Sequence, residues 1–345
     1  MRYIKMFKRR RNRVAAVSLA AAILIVIGLN ASFLAPSPKG GPLLIAQRGV
    51  HQIFDDTNVD ASTCTARRIQ RIEHPLIENT LPSIAAAFRS GADVVEVDVR
   101  QARDGAFVLF HDDRLECRTQ GHGRVFDTDL ATLRTLDVGY GYTADGGRTF
   151  PLRGRGVGLM PTLAEALRAF PGRSFMIQVK SGYVSEGDAL VRYLERHRSD
   201  DWSRLIFFGA PIAVERLKQL RPQARVWTDK ALISCTTRYL AIGWTGYVPQ
   251  ACRGGMIAVP VNLRFAVWGW PNRFIARMGD ADTRMLALRA TSGGGFARID
   301  TPEDLDSLPV DYNGYIWTDR VETIGPAARR RFHQQTGGVP RGLER

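Results

Sequence analysis

Cysteine is rare in this 345-residue chain, and carboxylates are in deficit. The four cysteines, Cys64, Cys117, Cys235 and Cys252, include no CxxC pair, so the usual metal-binding and redox cysteine motifs are absent. Zinc-finger spacing is also missing. The basic residues form no single stripe interleaved with aromatics, so nucleic acid is a poor candidate partner. No feature of the sequence points to a protein partner. An apolar share of 45% and a charged share of 24% exclude a wholly disordered chain and a multi-spanning membrane protein. The length suits one large domain or two medium ones. The 34 Asp and Glu fall short of the 48 Lys and Arg, which leaves a formal charge of +14. Such an excess suits an anionic partner, whether nucleic acid, a membrane face or a phosphate compound. The position of the charge decides among them.

Half of the excess lies in the first thirteen residues, as Arg2, Lys5, Lys8, Arg9, Arg10, Arg11 and Arg13, with no acid among them. Val14–Ala35 follows without a charge. As a helix it rises about 33 Å, enough to cross the hydrocarbon core of a bilayer. Cations ahead of an apolar run hold that end inside. This predicts a cytoplasmic arm (1–13), a single-pass anchor (14–35) and a stiff Pro- and Gly-rich linker (36–42). The remainder then stands on the periplasmic face of a bacterial cytoplasmic membrane. A cleaved signal peptide is the alternative, although Leu29-Asn30-Ala31 is a poor cleavage site. A second basic cluster, Arg329, Arg330, Arg331, Arg341 and Arg345, suggests a flexible tail over 326–345. Outside the cell the cysteines would face oxidising conditions. Of three possible pairings, Cys64–Cys117 and Cys235–Cys252 each stay within one region of the chain; buried free thiols are the alternative.

Past the linker, short apolar runs alternate with helical periodicity. The runs are Leu43–Ala46, Asp93–Val99, Ser174–Lys180, Leu205–Gly209, Arg225–Thr228, Met256–Val261, Met285–Leu288 and Tyr315–Thr318. Leu81, Ile84, Ala85 and Phe88 fall on one helical face, and Leu163, Ala166, Leu167 and Phe170 repeat the pattern. Gly91 and Gly172 are plausible helix stops. Eight strands with crossovers predict an α/β chain folded as a (β/α)8 TIM barrel over 43–325, with an open doubly wound sheet as runner-up. Phe107–Phe110, across the Asp104-Gly105 turn, reads as the returning arm of a hairpin after the second strand. Residues 113–160 then form an insertion. The Trp- and Gly-rich stretch Gly243–Pro271 reads as a long loop element near the barrel mouth.

Active sites of such barrels lie at the C-terminal ends of the strands. Those ends carry Gln47-Arg48-Gly49, Glu96-Val97-Asp98, Gln178-Val179-Lys180 and Thr318-Asp319-Arg320. Glu96 and Asp98 are two apart, so both face one side of their strand. Carboxylates aimed into a barrel are costly unless paired or bound to a cation. A hard divalent ion suits them, and a salt-bridged pair with Arg48 or Lys180 suits them as well. His111-Asp112 closes the hairpin arm and makes His111 a candidate acid or base.

The segments "IAQRG", "HPLIENTLPSIAAAFRSGADVVEVDVRQARDGAFVLFHDDRLECRTQGHG", "MPTLAEAL", "FMIQVK" and "YIWTD" follow one another in order. Together they resemble the glycerophosphodiester phosphodiesterase family across most of 43–325. The stretch Ala210–Gly295 fits the family pattern poorly. The resemblance implies a (β/α)8 barrel that hydrolyses a phosphodiester with bound Mg²⁺ or Ca²⁺. The substrate would be a glycerophosphodiester or a related phospholipid headgroup. It further implies that Arg48 holds phosphate, Glu96 and Asp98 hold the metal, and His111 is one acid/base. Lys180 would lean on the phosphate or a carboxylate, and Glu78 would fix the Arg48 loop.

Two positions depart from the family pattern. Gln47 stands where the family has its first catalytic His, and Gln178 replaces the third metal carboxylate. An amide donates a hydrogen bond to a phosphoryl oxygen but relays no proton at neutral pH. Gln178 offers a carbonyl oxygen to a cation but withdraws one negative charge. His51 is the nearby residue able to replace the lost imidazole. Attack by a neighbouring substrate hydroxyl, giving a cyclic product, needs no second His. The alternative class is a catalytically impaired barrel that binds phosphodiesters or headgroups.

Overall fold

The computed structural model describes residues 2–60, 63–197, 202–291 and 296–333. The strands are β1 (Leu43–Ala46), β2 (Val94–Gln101), β3 (Phe107–Leu109), β4 (Ser174–Val179) and β5 (Leu205–Gly209). They continue as β6 (Arg225–Val226), β7 (Met256–Pro260), β8 (Arg284–Ala290), β9 (Phe296–Ala297) and β10 (Tyr315–Thr318). Eight of them pair in parallel in the order β6-β5-β4-β2-β1-β10-β8-β7. That is chain order wrapped around a TIM-barrel-like sheet. No ladder joins β6 to β7 among the described residues. The expected strand Arg225–Thr228 shrinks to two residues, and Thr228 instead caps the helix that follows. β3 runs antiparallel to β2, turning at Gly105 with φ 83°, a left-handed conformation that glycine adopts without strain. β9 adds a short antiparallel arm to β8.

The helices are α1 (Arg2–Asn30), α2 (Leu81–Ser90), α3 (Leu130–Leu133), α4 (Leu163–Ala169) and α5 (Val184–His197). They continue as α6 (Pro211–Leu220), α7 (Asp229–Ile242), α8 (Asn272–Asp280), α9 (Pro302–Asp306) and α10 (Val321–His333). Their starts follow local chemistry: Thr80 caps α2, and Thr162 with Glu165 forms a capping box on α4. Gly91, at φ 107°, ends α2, whereas α4 ends earlier than Gly172, at Ala169. The side chains sort into three apolar clusters. The largest joins the outer face of the sheet to the helices, with Val95, Val97, Val99, Ile177 and Val179. A second fills the barrel interior, with Ile45, Val94, Met176, Ile206, Phe208 and Leu286. The third belongs to the insertion and includes Leu115, Val125, Leu133, Val138 and Tyr142. Each fully buried Leu, Ile or Phe contributes roughly 1.5–3 kcal/mol, and this cluster also takes in Ile69, Ile77, Val108 and Phe110, so the insertion shares its core with the neighbouring segments.

Several boundaries differ from the sequence expectation. α1 stops at Asn30, not Ala35, because the Asn30 amide turns back onto Val26 O and across to Trp244 O. Ser32–Leu34 then forms one 3-10 turn. The expected tail boundary at 326 falls inside α10, whose Ala327, Ala328 and Phe332 are buried; of the basic cluster, Arg341 and Arg345 lie outside the described residues. Gly243–Pro271 is not one loop at the mouth. It contains β7, and Gly243–Thr245 sits where α7 turns back toward the N-terminal end of β7. Disulfides join Cys64 to Cys117 and Cys235 to Cys252.

Candidate active site

The chain leaves β1 through Gln47 and Arg48 with Arg48 at φ 51°, strained for a residue with a side chain. Three contacts hold that turn. Arg48 N donates to Glu96 Oε2 at 3.0 Å, Ser83 Oγ donates to Arg48 O at 3.0 Å, and Asn79 N donates to Arg48 O at 3.0 Å. Gly49 follows at φ 79°; a Cβ there would lie 2.2 Å from Ser83 Oγ, so only glycine lets the loop approach α2 this closely. The buried Arg48 guanidinium bridges two acids, Glu78 Oε1 at 3.1 Å and Asp98 Oδ2 at 3.1 Å.

Glu96 and Asp98 both point inward from β2 and are fully buried. Asp98 is surrounded by donors: Lys180 Nζ at 3.0 Å, Arg48, and the Asn79 amide at 2.8 Å. Burial alone would raise its pKa, but Lys180 and Arg48 outweigh that and hold the carboxyl well below its usual range. Glu96 lacks such support. Burial first and the Asp98 charge second push it up to about 8. Gln178 stands level with Asp98 on the neighbouring strand β4. Glu96 Oε1 and Gln47 Oε1 are buried without a hydrogen-bond partner among the described residues. An all-oxygen set of this kind fits a hard divalent cation. Among the described residues no three His, Cys, Asp or Glu side chains are placed so as to hold a metal ion by themselves.

His111 stands at the edge of this cluster. Its Nδ1 lies 2.7 Å from Asp112 Oδ1. Burial would raise Asp112, but the Arg118 guanidinium outweighs it and keeps the carboxylate ionised. An ionised carboxylate only accepts, so Nδ1 carries the proton and Nε2 keeps its lone pair. Burial first and the Arg48 charge second press His111 down to about 4, so the ring is neutral at ordinary pH. Arg118 is fully buried and pairs with Asp112 and, at 3.0 Å, with Glu78 Oε1. Tyr142 donates to Glu78 Oε2 at 3.1 Å. Against the penalty of burial, Arg118 and Arg48 hold Glu78 near 2.

His51 is buried in the same region. Its Nε2 lies 3.2 Å from Asp319 Oδ1 and its Nδ1 3.0 Å from Gln52 O. Burial would lower its pKa, but the Asp319 hydrogen bond and charge outweigh burial and raise it. In this geometry both ring nitrogens are engaged. Asp319 also pairs with Arg298 at 3.1 Å, and the Arg298 guanidinium lies 5.0 Å from the Trp317 ring centroid. The structure thus gathers Gln47, Arg48, Glu78, Glu96, Asp98, His111, Asp112, Gln178 and Lys180 at one end of the sheet. It adds Asn79, Arg118, Tyr142 and Arg298, which sequence reading did not single out. Asn79 lay inside the quoted Glu-Asn-Thr element. Arg118 and Arg298 carried no spacing signal.

The family model for the glycerophosphoryl diester phosphodiesterase family matches residues 68–204. A glycerophosphodiester phosphodiesterase of Bacillus subtilis is 32% identical over 127 residues, which cover 35% of this chain and 42% of the relative. The chain thus spans less than half the length of the curated relatives it matches. Two solved structures share the fold. The glycerophosphoryl diester phosphodiesterase domain of a Mycobacterium tuberculosis protein superposes with a TM-score of 0.59 at 16% identity, covering 83% of this chain and 99% of that one. An Oleispira antarctica phosphodiesterase in complex with the product sn-glycerol-3-phosphate gives 0.52 at 22% identity, covering 83% and 96%.

Proposed function

We propose that this chain, which matches the glycerophosphoryl diester phosphodiesterase family model over residues 68–204, is a membrane-anchored phosphodiesterase of that family. Its substrates would be glycerophosphodiesters or related phospholipid headgroup diesters. The observation that carries the reading is the neutral His111, oriented by Asp112, beside the Arg48–Asp98–Lys180 cluster. Arg48 and Lys180 sit where cations can neutralise charge developing on phosphoryl oxygens. His111 Nε2 takes the proton of the attacking water or substrate hydroxyl, and the imidazolium returns one to the leaving alkoxide. The products are a phosphomonoester, or a cyclic phosphodiester where a substrate hydroxyl attacks, and an alcohol. The product bound to the Oleispira relative, a glycerol phosphate, is of this kind.

A divalent cation, Mg²⁺ or Ca²⁺, would be held by Glu96, Asp98 and the Gln178 carbonyl. When bound, it supplies Lewis-acid neutralisation of the phosphoryl oxygens. Glu78, tied to Arg48, Arg118 and Tyr142, fixes the guanidinium that faces the phosphate. The reading predicts that His111→Ala lowers turnover of a phosphodiester by about 10²-fold or more, and that chelator suppresses the remainder. A panel of phosphodiesters assayed with Mg²⁺, with Ca²⁺ and with chelator tests it. No turnover of any diester, where a family enzyme works, would contradict it.

Gln47 and Gln178 favour a second reading, a phosphodiester-binding barrel with its chemistry impaired. Calorimetric binding of a glycerophosphodiester without product formation would select that reading.

The anchor reading is supported by Arg10–Asn30, a helix of mean hydropathy 2.1 that buries none of its apolar window. The cations before it favour the N-terminus inside and the barrel on the periplasmic side of a bacterial cytoplasmic membrane. A signal sequence passes the same test of length and composition. The mass of the mature N-terminus separates the two.

A further inference from the structure

α1 does not end in free solvent. Arg277, on α8, donates to the backbone Leu29 O at 2.8 Å, capping a carbonyl in the last turn of α1, and to the Asn30 side-chain Oδ1 at 3.2 Å. Asn30 Nδ2 donates to Trp244 O at 2.7 Å, and Asn272 N donates to Ser32 Oγ at 2.8 Å. The end of the apolar helix is therefore fastened to the body of the protein at several points.

Topology says which end of the barrel this is. The linker from α1 enters β1 at Leu43, the turn after Trp244 leads into β7 at Met256, and Asn313, just before β10, donates to Lys39 O. All three segments lie at the N-terminal ends of parallel strands. Gln47, Asp98, Lys180 and Asp319 lie at the opposite, C-terminal ends. Beside the end of α1, large apolar side chains stand open: Phe33 is 84% exposed, Leu34 58%, Tyr247 52% and Trp244 42%. Isolated exposed apolar residues are ordinary, but Trp and Tyr next to an apolar helix terminus are the composition of a membrane–water interface. The two segments around them, 31–42 and 246–255, carry Lys39 and Arg253 and no carboxylate, which suits anionic headgroups.

We infer that the face at the N-terminal ends of β1, β7 and β10 is a membrane-apposed surface. Phe33, Leu34, Trp244 and Tyr247 seat it in the headgroup–acyl boundary, Arg277 latches it to α1, and the catalytic mouth is turned away from the bilayer. The inference rests on the anchor reading above. The phase that covers α1 continues onto this patch, because the two are joined at Asn30.

The test uses the full chain reconstituted in anionic vesicles whose lipids are brominated high on the acyl chain. Flotation on a density gradient reports the anchor itself. Failure to float overturns both the anchor and this surface. In a chain that floats, brominated lipid is expected to quench part of the tryptophan fluorescence. Trp244→Phe should reduce the quenched part. Trp227→Phe should leave it intact, since Trp227 packs against Tyr315 inside the barrel at 5.4 Å between ring centroids. Arg277→Ala should still float but lose quenching at Trp244. A chain that floats with quenching unchanged by Trp244→Phe overturns the surface and leaves the anchor standing. So does a dimer in which Trp244 is shielded from both brominated lipid and an aqueous quencher, because a second copy would then cover the patch. Folding of each variant is checked by circular dichroism.

Discussion

Gln47 stands where the resemblance places a catalytic imidazole, and its carbonyl oxygen is buried without a hydrogen-bond partner among the described residues. Such an oxygen costs about 1–3 kcal/mol unless a donor or cation meets it. Gln47→His is expected to raise turnover by orders of magnitude if the native site is a weakened enzyme, read as kcat on the same diester. His51 does not take over the role freely, since both its nitrogens are engaged. Its effect falls on stability. Its folded pKa lies above the ordinary 6.5, so protonation of His51 favours the fold. That contribution is fully present below the unfolded value and lost as pH rises through the raised one. His51→Gln should therefore cost on the order of 1–3 kcal/mol at about pH 6 and less at about pH 9, by urea unfolding at both. Equal losses would contradict the charged His51–Asp319 pair. At this scale the sequence was informative where residues share a strand: Glu96 and Asp98 read correctly as neighbours on one face. It was silent on Arg298, whose meeting with Asp319 spans two elements.

The insertion shows what a pattern hides. Its Gly- and Arg-rich composition over 113–160 set it apart from the alternating strands and helices. Its contribution to the site was not legible, because Arg118 looks no different in sequence from Arg114 or Arg124. Those two pair on the surface with Glu116 and Asp113, whereas Arg118 is buried and joins Glu78 to Asp112. The Cys64–Cys117 disulfide fixes its neighbour, and Thr65 Oγ1 accepts from Arg118 at 2.8 Å. Through this one side chain the insertion supports both the Arg48 clamp and the His111 orienter. Arg118→Leu strands the buried Glu78 and the partly buried Asp112 and should destabilise the fold by roughly 3–5 kcal/mol. Arg118→Lys should keep most of the fold. It should also shift the acid limb of the rate–pH profile upward, because Asp112, less firmly ionised, would orient His111 less well. A Lys variant with an unchanged profile would reduce Arg118 to a structural role.

For the whole molecule, the excess of +14 separates into parts with different meanings. Half belongs to the first thirteen residues, at the N-terminal end of α1 and far along the chain from the site, and under the anchor reading it bears on orientation, not on substrate. Inside the barrel the relevant cations are few and local: Arg48, Lys180 and Arg298 against Asp98 and Asp319. The alternation of strands and helices made the TIM-barrel-like sheet legible in advance, since parallel strands need crossovers. The missing β6–β7 ladder among the described residues was not legible, because a two-residue strand leaves no periodic signal. Nor was the fastening of α1 to α8, which brings together residues 29 and 277.

The central claim is that these groups perform phosphodiester hydrolysis. The most direct measurement is turnover of a glycerophosphodiester by the purified full chain with Mg²⁺ or Ca²⁺, beside His111→Ala. Release of a phosphomonoester and an alcohol is expected from the native chain, with the variant slower by about 10²-fold or more. Equal rates in the two proteins, or binding with no product from either, would contradict it.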